Sequence, residues 1–138
     1  MAEGHLQKTK PGEPFRPRAS DWNAFVDAAD FARRALELER EAGSLAAYFW
    51  RFEPAAAERP QRLDHATLKG LAHTAASHRL SADLRRRGWS FVGPTTAYAF
   101  MQAMGLVNDH LEGCWCREEV ARARRAFRPP LAARDAIA

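Results

Sequence analysis

The stretch Gly88-Trp-Ser-Phe-Val-Gly-Pro-Thr-Thr-Ala-Tyr-Ala-Phe-Met-Gln-Ala-Met-Gly105 carries the clearest helical pattern in the chain. Pro94 suits the first position of a helix, because the N–H that proline lacks would have no partner there. Tyr98 and Met101 then fall on one side, and Gly105 is a residue at which helices commonly end. The stretch therefore predicts a helix over residues 94–104 with one apolar face.

Helices are also predicted on both sides of this stretch. Residues 77–87 place Leu80 and Leu84 inward, and Gly88 ends that helix in the left-handed conformation that helix ends favour. Downstream, residues 117–127 predict a last helix, which stops before Pro129 and Pro130.

The residues before position 77 predict two more helices and a loop. Ser20 is the expected N-cap of a long helix that ends at Gly43, and Ser44 is the expected cap of a short helix over residues 45–52. Residues 53–76 are expected to form a loop with one helical turn near 66–72. The apolar spacing of the long helix indicates an inward face of Trp22, Phe25, Val26, Ala29, Ala32, Leu36 and Leu38. Since no strand pattern alternates along the chain, the predicted class is all-α.

The 138 residues suit a single domain, because two cores of half that size would each be marginal. Residues 1–19 predict a proline-rich basic arm, residues 20–128 a helical domain and residues 129–138 a frayed tail. Cys114 and Cys116 are too close in sequence to serve as the disulfide framework of a domain. No apolar run approaches the roughly 18 residues of a membrane span. These features indicate a reduced, cytoplasmic protein.

The net charge of +4 and the pI near 9.6 are weak arguments for nucleic-acid binding by themselves. The basic residues are clustered, in the groups Lys8, Lys10, Arg16 and Arg18; Arg79, Arg85, Arg86 and Arg87; and Arg117, Arg122, Arg124, Arg125 and Arg128. Charge alone supports two interpretations equally, solvated helix faces or contacts with phosphate groups.

His110 and Cys114 stand four residues apart, so on a helix both side chains would point to one face, within reach of a single metal ion. An imidazole and a thiolate together suit Zn²⁺. Two ligands do not close a tetrahedral site, and Cys116 is too near Cys114 in sequence to be a comfortable third ligand. The alternative is a buried thiol beside an ordinary polar histidine.

The run from Ser81 to Cys116 resembles the C-terminal part of the DNA-3-methyladenine glycosylase I family. The phrases Phe91-Val-Gly-Pro-Thr-Thr96, Met101-Gln-Ala103 and Gly105-Leu-Val-Asn-Asp-His110 occur together in the family's order. Milder similarity extends the match to about residues 32–128. The resemblance implies an all-helical fold of the helix-hairpin-helix glycosylase superfamily. It also implies hydrolysis of the N-glycosidic bond of a flipped alkylated adenine, in base excision repair.

The resemblance further implies a partner and a site. The partner is double-stranded DNA that contains alkylated adenine. Thr95, Thr96, Tyr98 and Gln102 lie on the helix that runs beside the family's base pocket, and are expected to line or support it. Tyr98 equally fits a simple core role. His110 and Cys114 align with two ligands of a structural Zn²⁺ in the family.

The N-terminal part of the chain departs from the family pattern. Family members carry there a cysteine and a histidine that complete the zinc site, a carboxylate in the base pocket and a hairpin that grips DNA. No cysteine precedes Cys114, His5 is the sole early histidine, and residues 20–27 replace the hairpin. We therefore assign no catalytic residue, expect an incomplete zinc site and predict a partial glycosylase fold that lacks the hairpin and the N-terminal catalytic segment.

Two functions follow from these expectations. The first is a DNA-3-methyladenine glycosylase-like repair protein, truncated or rearranged, with reduced or no activity because one wall of the base pocket remains. The alternative is a non-catalytic, small, basic helical module that binds DNA or protein. The apolar surface left uncovered by the missing helices would favour dimerisation.

Overall fold

A computed structural model describes residues 19–130 of the chain. The helices, numbered in chain order, are α1 (Ala19–Ala42), α2 (Leu45–Trp50), α3 (His65–Lys69), α4 (Ala75–Arg86), α5 (Pro94–Ala103) and α6 (Trp115–Ala126), with a 3₁₀ turn at Ala56–Glu58. Residues 19–130 contain no strand, so the all-α prediction is confirmed there. His5, the side chain of Trp22, and most of the predicted arm and tail lie outside the described residues. None of the described helices is long and apolar enough to span a bilayer.

Local capping explains where the helices begin. The Ser44 hydroxyl accepts a hydrogen bond from the Ala47 N–H at 3.0 Å, which confirms the predicted start of α2. Thr74 and Ser77 cap α4 reciprocally, because each hydroxyl accepts from the other residue's N–H. This capping box starts α4 at Ala75 rather than at the predicted residue 77.

Two further boundaries differ from the prediction. Ser20 lies within helix α1, which the structure describes from Ala19 onward, so Ser20 is not the N-cap of that helix. Helix α6 begins at Trp115, with Cys114 at the capping position, whereas the proline-bounded pattern predicted a start at residue 117. The earlier start places Cys116 in the first turn of α6.

The core lies where α4 and α5 pack together with the end of α1 and with α2. The buried apolar side chains there include Leu38, Tyr48, Leu80, Leu84, Tyr98, Met101, Leu106 and Val107. The predictions that Leu80, Leu84, Tyr98 and Met101 point inward are therefore confirmed. Gly88 and Gly105 end α4 and α5 with φ near +80° and +75°, as their positions predicted.

Helix α1 buries a different face from the one that its apolar spacing predicted. Phe25, Val26 and Leu36 are 66%, 55% and 50% exposed, and Ala29 and Ala32 are exposed as well. Leu38 is buried, as predicted, together with Ala42, and Phe31 packs edge-on against Trp89 with ring centroids 5.5 Å apart.

Polar contacts hold this orientation of α1. The Arg34 guanidinium donates to the Arg87 carbonyl at 2.8 Å, and Glu41 accepts two hydrogen bonds from Arg87 at 2.5 and 3.0 Å. Both contacts turn one side of α1 toward the end of α4. A second apolar stripe, consisting of Phe25, Ala29, Ala32 and Leu36, therefore remains on the surface.

A carboxylate on α4 joins three helices. Asp83 accepts hydrogen bonds from the Tyr48 hydroxyl at 2.7 Å, from Arg86 at 2.5 Å and from Arg87 Nε at 2.8 Å. Desolvation by itself would raise the pKa of Asp83, but the hydrogen bonds from Tyr48, Arg87 and Arg86 outweigh it and lower that pKa to about 2. Because Arg87 also binds Glu41, the network links α1, α2 and α4.

Candidate functional site

Helix α5 carries the four residues that the sequence assigned to a base pocket. Thr95, Thr96 and Gln102 are exposed, whereas Tyr98 is buried. The Tyr98 hydroxyl donates to the Asp109 carboxylate, and Gln102 Nε2 lies 3.4 Å from the same oxygen. The structure therefore brings Tyr98 and Gln102 together at Asp109 and leaves the two threonines on the surface of the first turn. Their role as pocket residues stays a prediction.

The Tyr98–Asp109 contact keeps the phenol protonated. Desolvation and the hydrogen bond to Asp109 raise the pKa of Tyr98 well above its ordinary value. Tyr98 accordingly acts as a hydrogen-bond donor that positions the carboxylate, while its ring remains in the core.

Asp109 also borders a basic cavity of about 380 Å³ between the 3₁₀ turn, α5 and α6. Its lining includes Arg117, Arg124 and Arg125 from α6. Arg124 pairs with Glu53, and its guanidinium lies 5.8 Å from the centre of the Trp50 ring. These contacts hold α6 against the rest of the domain. The cavity lining contains more guanidinium groups than carboxylates.

His110 and Cys114 approach each other, as predicted, but not because they lie on a helix. Cys114 Sγ is 3.9 Å from His110 Nδ1. Residues 108–114 are not helical, and the chain reverses at Gly113, where φ is +82°. The helical explanation is therefore wrong, because a turn at Gly113 brings the cysteine back to the imidazole.

Cys116 belongs to the same group. The donor atoms of His110, Cys114 and Cys116 all lie within 4.8 Å of one another, and the described residues offer no other group of three such ligands. Closeness in sequence to Cys114 therefore does not keep the Cys116 sulfur away from the other two donor atoms. The early start of α6 turns the Cys116 side chain toward the imidazole, which helical spacing from His110 could not reveal. Desolvation and the neighbouring Cys114 raise the pKa of the Cys116 thiol.

Two sets of hydrogen bonds fix the loop that carries these donors. Asn108 Nδ2 donates to the Arg117 carbonyl at 3.0 Å, and Arg117 Nη1 donates to the His110 carbonyl at 2.7 Å. Glu112 binds the Leu63 backbone through its own N–H at 2.9 Å and through its carboxylate at 3.1 Å. We call the contact between Asn108 and Arg117 the loop clasp.

The arginine clusters serve partly as structural ion pairs. Arg79 pairs with Glu58 at 2.6 Å, Arg86 and Arg87 bind Asp83, and Arg124 binds Glu53. In the second cluster, Arg85 is exposed and has no ion pair with any residue between 19 and 130. Neither sequence interpretation anticipated that most of this cluster would be neutralised within the fold.

Phe91 was not singled out by the sequence, yet its position is unusual. Its side chain is 86% exposed and its φ is +56°, a left-handed conformation that costs a non-glycine residue roughly 1–2 kcal/mol. It stands in the connection that leads directly into Thr95 and Thr96 at the start of α5. An exposed aromatic ring in a strained conformation is the kind of feature that binding sites use.

Comparison with known proteins identifies the relatives of this site. Residues 23–118 match the family model described as methyladenine glycosylase. The chain is 42% identical over 86 residues to DNA-3-methyladenine glycosylase 1 of Escherichia coli strain K12. The aligned residues cover 62% of this chain and 44% of that protein. It is 38% identical over 87 residues to DNA-3-methyladenine glycosylase of Haemophilus influenzae, and this alignment covers 62% of this chain and 45% of that protein.

A solved structure gives the same result for the fold. The crystal structure of a 3-methyladenine DNA glycosylase I superimposes with a TM-score of 0.51 and 41% identity, covering 62% of this chain and 46% of that one. The chain thus spans less than half the length of each of these relatives. The family match includes α5, the loop clasp and the residues His110, Cys114 and Cys116, and it ends inside the first turn of α6. This chain belongs to the methyladenine glycosylase family.

Proposed function

We propose that this protein is a DNA-3-methyladenine glycosylase-like component of base excision repair that holds one wall of the site for a flipped alkylated adenine. The observation that carries the proposal is the family match over residues 23–118, which contains the whole of α5 and the loop after it. Without a pocket carboxylate, the chain by itself has reduced or no power to hydrolyse the N-glycosidic bond.

The lesion chemistry supports a site built mainly from recognition. An N3-methylated adenine is cationic and is already a good leaving group, so a flipped base requires stacking and placed hydrogen bonds more than strong acid catalysis. Helix α5 offers Thr95, Thr96 and Gln102 on its exposed side, and Tyr98 orients Asp109 beside them. These groups are suited to support a bound base.

We expect the purified chain to bind duplex DNA with strong salt dependence and to release methylated adenine at background level. Phosphate binding by exposed arginines such as Arg85 should weaken steeply as the salt concentration rises from low to moderate. The reason is that binding releases the cations condensed on the DNA, and added salt opposes this release. Fluorescence anisotropy at several salt concentrations measures the first result, and chromatography of bases released from alkylated DNA the second. The Escherichia coli relative is the positive control for release.

These two measurements separate the proposal from its alternatives. Release clearly above background would contradict the assignment of no catalytic residue. An affinity for duplex that does not change with salt would contradict phosphate binding. The alternative function is a non-catalytic basic module that binds DNA or protein. Its protein-binding form is favoured by the exposed apolar stripe of α1 and predicts no measurable affinity for DNA.

Phe91 provides a sharper test of the DNA-facing surface. We expect Phe91→Gly to weaken binding to alkylated duplex by about fivefold or more, because stacking of a base on an aromatic ring contributes roughly 1–3 kcal/mol. The same variant should keep or raise the free energy of unfolding, since glycine relieves the left-handed strain. Anisotropy and urea unfolding measure the two effects.

The matched control is Met104→Ala, which removes an exposed apolar side chain after the other end of α5. It should leave the affinity for DNA unchanged. Equal affinities of the Phe91→Gly variant and the wild-type protein would remove Phe91 from the DNA-binding surface.

We also propose that His110 and Cys114 hold a Zn²⁺ ion with a structural role. The fit is supported by the donor types, an imidazole and a thiol at 3.9 Å in a loop fixed by hydrogen bonds. Bound zinc would cross-link the loop after α5 to the start of α6. It supplies no step of the hydrolysis.

A further inference from the structure

We propose that Cys116 is a third metal ligand, so that His110, Cys114 and Cys116 form a three-donor site within one segment of seven residues. The inference rests on the proposed zinc binding and deepens it, because the resemblance to the family assigns only His110 and Cys114. It also raises the number of sulfur ligands at the site from one to two.

The distances fit a tetrahedral ion. Zinc binds sulfur at about 2.3 Å and nitrogen at about 2.0 Å, which places neighbouring tetrahedral donors about 3.5–3.8 Å apart. The His110–Cys114 pair is at 3.9 Å, and all three donor atoms lie within 4.8 Å of one another. Shifts of about 1 Å or less in the donor atoms bring these distances to tetrahedral spacing, which is within the reach of side-chain rotation.

Hydrogen bonds within the chain hold the loop that carries the donors. The loop clasp joins Asn108 to Arg117 on either side of the segment, and Glu112 is bound to the Leu63 backbone in its middle. Cys114 and Cys116 sit at the N-terminus of α6, a helix of 12 residues whose dipole favours negative charge there. The geometry therefore supports two sulfur ligands and one imidazole around one cation.

Three protein donors leave one coordination position open. Within the described residues, the group contains no fourth His, Cys or carboxylate ligand. A soft, two-thiolate site with an open position would accept a water molecule or a further donor, and it would bind Zn²⁺ and Co²⁺ in preference to Mg²⁺.

Titration of the metal-free, reduced chain with Co²⁺ tests this arrangement. The chain has two cysteines in total, so the intensity of the thiolate-to-cobalt charge-transfer band counts the sulfur ligands directly. We expect one Co²⁺ per chain with the intensity of two thiolates. In the variant Cys116→Ser the intensity should halve, and competition with Zn²⁺ should show an affinity lower by about tenfold or more.

The variant His78→Asn is the matched control. It removes an exposed imidazole on α4, whose Nε2 lies 3.2 Å from Nδ1 of His73. The substitution should change neither the intensity of the charge-transfer band nor the affinity for the metal. Full intensity and affinity in Cys116→Ser would overturn the inference while leaving the zinc proposal for His110 and Cys114 intact. No cobalt binding by the wild-type chain would overturn both, and neither result depends on the DNA assays.

Discussion

Leu80→Ala is expected to lower the free energy of unfolding by about 3 kcal/mol, within the range for truncating a buried leucine. Leu80 has no exposed surface and lies on α4 in the centre of the core, among Tyr48, Tyr98 and Met101. The loss combines the transfer free energy of the removed methyl groups with the cavity that rigid neighbours cannot fill. Urea unfolding followed by far-UV circular dichroism measures it.

Leu36→Ala is the matched control, because it makes the same substitution in a helix at a position that is half exposed. It should change the free energy of unfolding by no more than about 0.5 kcal/mol. Equal losses in the two variants would show that α1 buries Leu36 and that the described orientation of the helix is wrong.

Asp83→Asn is expected to cost about 2 kcal/mol at neutral pH. The pKa of Asp83 is about 2 in the folded protein and near 3.8 without its partners, and one pKa unit corresponds to about 1.4 kcal/mol. Because the folded-state pKa is depressed, this stabilisation is complete above pH of about 4 and is lost as the pH falls through about 2. The wild-type advantage over the variant should therefore shrink between pH 5 and pH 2.

Asp30→Asn is the control for Asp83. Asp30 pairs with Arg33 on the surface of α1, with both side chains well exposed, so its loss should change stability by about 0.5 kcal/mol or less. A wild-type advantage over Asp83→Asn that stays constant down to pH 2 would show that the carboxylate does not titrate in the predicted range.

The sequence predicted α4 and α5 well because their ends depend on local stereochemistry. Proline is tolerated at the start of a helix and glycine at its end whatever surrounds them. Each helix also has one consistent apolar face, with Leu80 and Leu84 on α4 and Met101 on α5. The family resemblance rests on the same run of residues, and the match of the family model over residues 23–118 confirms it.

Other features were beyond the sequence for physical reasons. Helix α1 has two apolar stripes, and periodicity does not reveal which stripe faces the core; contacts of Arg34 and Glu41 with a residue over 40 positions away decide it. The His110 and Cys114 side chains meet through a turn at Gly113, which a helical spacing rule misses. The spacing of Cys114 and Cys116 in sequence likewise does not show that both sulfur atoms lie near the His110 imidazole.

The uneven burial along α1 also gives the two ends of the helix different local stability. Residues 23–29 have exposed side chains, so backbone hydrogen bonds there depend on helix propensity, which holds short helices only marginally. Toward Leu38 and Ala42, the same backbone is shielded by the core and by the contacts with Arg87. Amide protons should accordingly exchange by fraying at the beginning of α1 and only by global unfolding at its end. A single continuous helix therefore combines weakly protected and strongly protected backbone.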